Sequence, residues 1–310
     1  MKQFLKFCLL FILPVLVFLV VLEIVVGRIP NSYSYKYDYV LKNGQQIKTL
    51  SIGHSQLYDG FRPATFGASS FNLCNSEQTY TDGYYLLHEL LPYMPNLKMV
   101  ILPIGYYHVG KLDRNGSSNR ELTERSCYYH KYMHLDYDGQ VPLQYLYECL
   151  NPYKAWQKVY SYYVNHTDMV GCDSLGERGA KHISKQKFKL GSLNILRGYT
   201  VKETDSRKLC IEDDEYLIKI IETLLKKDIK IVMVSPPYYW NCGFDKVNYA
   251  QRRFPKDYMK KLCQKYPIQY LDYESDTTFV ASDFFNETHL SAAGGDKFTK
   301  MLVRDIKNKP

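Results

Sequence analysis

Two short runs in this chain are almost entirely apolar, Leu97–Ile104 and Ile229–Val234. A strand with one wet face alternates apolar and polar residues. A strand apolar on both faces is buried on both, as in parallel sheets covered by helices. Ile47–Ile52, Ser70–Leu73 and Ile268–Leu271 add shorter strand candidates. Helical spacing lies between them. Tyr80–Leu91 puts Tyr84, Leu87 and Leu91 on one face and stops at Pro92. Glu215–Lys227 does the same with Leu217, Ile220, Ile221 and Leu224, and Asp257–Lys265 and Leu290–Ile306 complete the set. Strands alternating with helices predict an α/β protein, a three-layer α/β/α sandwich around a parallel sheet. From about 110 to 210 the pattern dissolves into polar, Tyr-rich sequence, expected to be an irregular insertion.

The N-terminus sets the compartment. Phe7–Leu22 is unbroken apolar sequence containing Pro14, and Ile24–Val26 extend it past Glu23 to about the 20 residues of a bilayer span. Lys2 and Lys6 precede it, and no alanine occurs before Ala64, so a small-x-small cleavage site is missing. The expectation is a cytoplasmic tail at 1–6, a transmembrane signal anchor at 7–27, a stalk or first domain contact at 28–46, and a domain at 47–310 outside the cytoplasm, periplasmic or extracellular. Cleavage near Val26–Gly27 is the alternative, with the same location for the domain. The formal charge is +8, from 40 Lys+Arg and 32 Asp+Glu, but it is spread along the chain without a basic block. With an extracytoplasmic domain, a nucleic-acid partner is not expected. Seven of the 8 cysteines follow the anchor, an odd number and too few for a disulfide scaffold.

Ligands of open parallel sheets bind beyond the carboxyl ends of the strands. Gly53-His54-Ser55 stands at such an end, with Gly53 able to make the tight bend. A serine there can attack a substrate if a base lies within hydrogen-bond reach. His289, in the loop before the last helix, reaches the same edge of the sheet. Cys127, His130, His134 and Asp136 have a ligand-like spacing, but no glutamate completes a His-Glu-x-x-His pattern, so packing is the expectation and no metal. Gly294-Gly295 lacks a phosphate-loop pattern, and no cofactor is expected.

The segments LSIGHSQLYDG, from Leu50, and FFNETHLSAAG, from Phe284, together resemble the first and last blocks of the SGNH/GDSL hydrolase superfamily. SFNLCNSEQ and VILPIGYYHV fall where its second and third blocks stand. The resemblance runs from about Ile47 to the C-terminus, less the insertion, and its closest flavour is the membrane-anchored members. It implies a flavodoxin-like parallel sheet, Ser55 as nucleophile and His289 as general base. It also implies Gly53, Asn75 and Ser76 around the oxyanion and substrate, and no cofactor or metal. The family's aspartate three residues before the histidine is Asn286 here, with Asp283 as a substitute from the same loop. The middle block lacks its glycine, and Tyr106 follows Gly105 where the third block carries an oxyanion asparagine. The implied function is a serine esterase or O-acyltransferase acting through an acyl-enzyme on acyl esters of envelope or extracellular glycans, with a membrane-bound acyltransferase as a partner. The alternative is a catalytically impaired binding or assembly protein of an envelope polysaccharide system.

Overall fold

The computed structural model describes residues 2–104, 120–137, 147–178, 215–239, 249–286 and 288–308. Its centre is a five-stranded sheet of β1 (Thr49–Ser51), β2 (Ser70–Asn72), β3 (Met99–Pro103), β4 (Lys230–Ser235) and β5 (Ile268–Asp272). Every pairing is parallel and the spatial order is β2-β1-β3-β4-β5. This is the flavodoxin-like order, with its topological switch between β1 and β3.

The alternation of side chains along the strands makes the layers. Leu50, Val100, Leu102, Ile231 and Met233 face one core. There they meet α2 (Ser32–Asn43), α5 (Tyr80–Leu90) and the helix at 215–225, through residues such as Val40, Leu86, Leu90, Ile220 and Leu224. Ile101, Val232, Val234 and Leu271 face the other core. It is closed by Leu57 of α3 (Ser55–Gly60), by Phe61 just beyond it, by Phe66 of the short α4 (Pro63–Phe66), and by Phe298 and Leu302 of the last helix, Ala292–Asn308. The near-continuous apolar character of β3 and β4 follows from this double burial.

The N-terminal helix α1 (Lys2–Gly27) contains an 18-residue stretch, Leu10–Gly27, with a mean hydropathy of 3.0 and only 11% of it buried. By length and composition it can cross a bilayer. Of the two expectations for 28–46, a stalk or a first domain contact, the residues of α2 make the contact. Asn31 caps α2 in a reciprocal box with Ser34, and Lys36, Tyr37 and Val40 are buried. Within the stretch expected to be irregular, α6 (Arg120–Met133) and α7 (Pro152–Val159) are helical, and Tyr129, Met133, Leu135 and Tyr137 join the first core. Three parts of that stretch, 110–119, 138–146 and 179–210, lie outside the described residues. Tyrosine explains why the periodicity was hidden. It reads as half-polar in sequence, yet here it packs its ring and spends its hydroxyl, as when Tyr137 donates to Asp82 at 2.6 Å and Tyr80 to the Pro103 carbonyl at 2.8 Å.

Candidate active site

β1 delivers the chain to the switch point, and Gly53 turns it. Its φ is +143°, and a Cβ placed there would stand 2.3 Å from Cδ of Pro103, the last residue of β3. Only glycine meets both conditions. His54 then caps α3, its Nδ1 accepting the Gln56 N–H at 3.2 Å, which makes it a buried cap. Ser55 follows as the first helical residue, half-buried.

The partner arrives from the other end of the chain. Phe284–Asn286 and His289–Leu290 form a small antiparallel hairpin, in which Asn286 stands opposite His289. His289 Nε2 lies 2.7 Å from Ser55 Oγ. Its Nδ1 lies 2.9 Å from Asn286 Oδ1 and 2.9 Å from Thr288 Oγ1. The backbone N–H groups of Thr288 and His289 both donate to Asn286 Oδ1 at 3.0 Å, which identifies that atom as the amide oxygen. An oxygen only accepts, so His289 Nδ1 carries the proton and Nε2 presents its lone pair to the Ser55 hydroxyl. That is the tautomer a general base needs.

Of the two residues expected to orient His289, the structure brings Asn286 to the ring. Asp283 Oδ2 is engaged by Lys297 Nζ at 2.7 Å and by the Val280 N–H at 2.9 Å, at the base of the hairpin. Asn286 is also an Asx-turn residue, so a local turn and an imidazole contact are made by one side chain.

Gln56 was not singled out by sequence reasoning. Its Nε2 donates to the Thr288 carbonyl at 3.0 Å, and its Oε1 receives the Tyr238 hydroxyl at 3.4 Å. The residue after the serine thus ties α3 to the loop carrying the histidine. A buried glutamine beside a serine carries no signal of this in the sequence, because its partner lies 232 positions away.

Asn75 and Ser76 leave β2 beside this site. The Asn75 N–H donates to the Gly53 carbonyl at 3.0 Å, and its Oδ1 lies 3.5 Å from the buried ammonium of Lys36. Its side chain also meets the Tyr129 hydroxyl, with Nδ2 buried. Ser76 receives two arginines, Arg178 at its hydroxyl at 2.5 Å and Arg125 at its carbonyl at 2.7 Å. Beneath them lies a buried charged layer. Lys36 donates to the Cys74 carbonyl and sits 3.9 Å from the Tyr58 ring centre, and burial lowers its pKa to about 8. Asp59 pairs with Arg178 at 3.0 Å, yet its burial outweighs the three cations around it and raises its pKa to about 6.

The remaining sequence candidates serve the fold. Burial pushes the Cys74 thiol up to about 12, so it is no thiolate nucleophile. Cys127 is buried in α6, and His130 Nδ1 lies 2.8 Å from the Leu135 carbonyl. Among the described residues no group of three His, Cys, Asp or Glu could hold a metal ion. Gly105 and Tyr106 lie outside the described residues. Gly294 is a contact residue, since a Cβ there would meet the Asp283 carbonyl oxygen at 1.9 Å, so the last helix packs directly on the turn below the hairpin.

No protein-family model matches the chain, and no curated protein sequence matches it. Among solved structures, the chain is similar to a crystal structure described as a "putative acylhydrolase" from Bacteroides fragilis. The identity is 10% and the TM-score 0.40, over 87% of this chain and 94% of the other. At that level the likeness assigns neither substrate nor mechanism. The fold and the site define a flavodoxin-like α/β/α protein with a Ser–His–Asn array at its switch point.

Proposed function

We propose that the protein is a serine-dependent esterase or O-acyltransferase. The observation that carries this reading is the continuous array Ser55 Oγ, His289 Nε2, His289 Nδ1 and Asn286 Oδ1, with contacts of 2.7 and 2.9 Å. Ser55 Oγ attacks the ester carbonyl while its proton passes to His289 Nε2. The tetrahedral intermediate collapses, the C–O bond to the leaving alcohol breaks, and the imidazolium returns the proton to that alcohol. An acyl group is left on Ser55. Water, or the hydroxyl of an acceptor sugar, then attacks the acyl-enzyme with His289 again as base, and the acyl–Oγ bond breaks as the imidazolium returns its proton to Ser55. The Ser55 N–H at the start of α3 and Nδ2 of Asn75 are the donors proposed for the oxyanion, where preorganised N–H groups stabilise developing charge. Gly53 and Ser76 are the further residues proposed around the oxyanion and substrate.

Asn286 sets the power of this machine. An amide oxygen holds the tautomer but offers no negative charge to the imidazolium, so the chemical step is slower than with a carboxylate. That one residue also favours the second reading, a catalytically impaired binding or assembly protein of an envelope polysaccharide system. The substrate class we propose is an acyl ester on an envelope or extracellular glycan. We read α1 as an uncleaved membrane span with the domain on the extracytoplasmic side, a location that suits such material and a membrane-bound acyltransferase as partner.

Labelling with a fluorophosphonate probe tests the reading. The parent is expected to label, Ser55→Ala to be unlabelled, and His289→Ala to label at least about a hundredfold more slowly. A folded parent that stays unlabelled would transfer the assignment to the binding protein.

A further inference from the structure

Outside α1, the large apolar side chains left exposed among the described residues gather mainly in one place. Leu150, Tyr153, Trp156, Tyr160, Tyr163 and Val164 all lie on or beside α7 and the π-helical turn Tyr160–Val164 that continues it. Tyr153 is 72% exposed and Trp156 54%. Tyr153, Trp156 and Tyr160 recur at i, i+3 and i+7 and so share a face. A soluble protein rarely leaves such an aromatic stripe uncovered.

The position of α7 indicates what covers it. Its buried Ala155 packs against Leu22 and Val26, in the last two turns of α1. Those turns are pinned to the domain, because Glu23 forms an ion pair with Lys131 of α6 and accepts the Cys149 N–H at 2.8 Å. The 18 residues Leu10–Gly27 rise about 27 Å as a helix, close to the thickness of a bilayer's hydrocarbon core. Leu22–Val26 then falls at its outer boundary, the depth that tyrosine and tryptophan prefer. In the same two turns of α1, Val21 and Ile24 are half exposed. Of the two lysines of α7, Lys158 pairs with Glu148 and Lys154 is exposed, and neither falls on the face shared by the three aromatic positions.

We propose that the Tyr153–Trp156–Tyr160 face of α7 docks into the outer interfacial layer of the bilayer that α1 crosses. It is a second membrane contact, and together with the pinned end of α1 it fixes how the domain stands on the surface. This rests on the reading of α1 as a span.

The chain has two tryptophans, Trp156 and Trp240, so a Trp240→Phe variant of the full chain reports on Trp156 alone. It is reconstituted in phosphatidylcholine nanodiscs whose acyl chains carry bromine either near the carbonyl or near the bilayer centre. About half of the Trp156 fluorescence should be lost with the shallow bromines and less with the deep ones. Tyr153→Ser with Tyr160→Ser should reduce that loss. Unquenched Trp156 overturns the docking, and if an envelope polysaccharide shields it from aqueous acrylamide instead, the stripe is a sugar platform. Resistance of the same protein to alkaline carbonate extraction from liposomes reports separately on the span. Quenching in an extractable protein would mean that the face meets the bilayer without a span, and would overturn its role as a second contact beside α1.

Discussion

His289 receives its geometry from Asn286, and that residue is where the chemistry is most open to change. Asn286 Oδ1 already accepts two backbone N–H groups and the imidazole Nδ1–H, all of which a carboxylate would accept as well. Asn286→Asp should therefore keep the hairpin and add a charge that stabilises the imidazolium. We expect kcat/KM for a small aryl ester to rise by about tenfold or more, the reverse of the large loss seen when a triad aspartate becomes asparagine. A fall in rate would mean that Asn286 serves something other than this step. Lys36 gives a prediction about stability. Burial holds its pKa at about 8, below the ordinary value of 10.5 for a lysine. Between those values the unfolded chain keeps a proton that the folded one has released, so the Lys36 contribution to stability improves as pH rises through that window. Below about 8 both states are charged and the full cost of burial is present. The Tm of the parent relative to Lys36→Met should shift in the parent's favour from pH 8 to pH 10.

At the scale of elements, the site is a contact between α3 and the β6–β7 hairpin, β6 being Phe284–Asn286 and β7 His289–Leu290. Gln56 bridges them, and the last helix supports the hairpin through the close approach at Gly294. Gly294→Ala must push that helix off the Asp283 carbonyl. It should cost about 1–3 kcal/mol in denaturant unfolding and also slow fluorophosphonate labelling. Ile220→Ala, in the other core, should cost about 2–5 kcal/mol and leave the labelling rate of the folded fraction unchanged. Equal effects of the two on labelling would show that the site responds to overall stability and not to this contact.

Across the whole molecule, the parts legible in the sequence were those whose physics is local or strongly patterned. Doubly buried strands announce themselves as apolar runs, and a serine and a histidine at strand ends are brought together by any parallel sheet. The stretch after α1 was less legible. Lys36 among tyrosines reads equally as part of a stalk or of a first domain contact, and the fold buries it against the Cys74 carbonyl and the Tyr58 ring. The helices α6 and α7 were hidden for a similar reason, since their apolar faces are built from Tyr and Cys or, in α7, left exposed. The Gln56 bridge and the Gly294 contact depend on partners far away in sequence, and no local pattern encodes them.

The central claim is that Ser55 carries an acyl group during turnover. The most direct test is intact-mass and peptide mapping of the full-length protein quenched in acid seconds after mixing with an activated acyl ester. A mass increase of one acyl group is expected, located on the peptide containing Ser55 and missing in Ser55→Ala. Acylation elsewhere, or turnover that persists in Ser55→Ala, would contradict it.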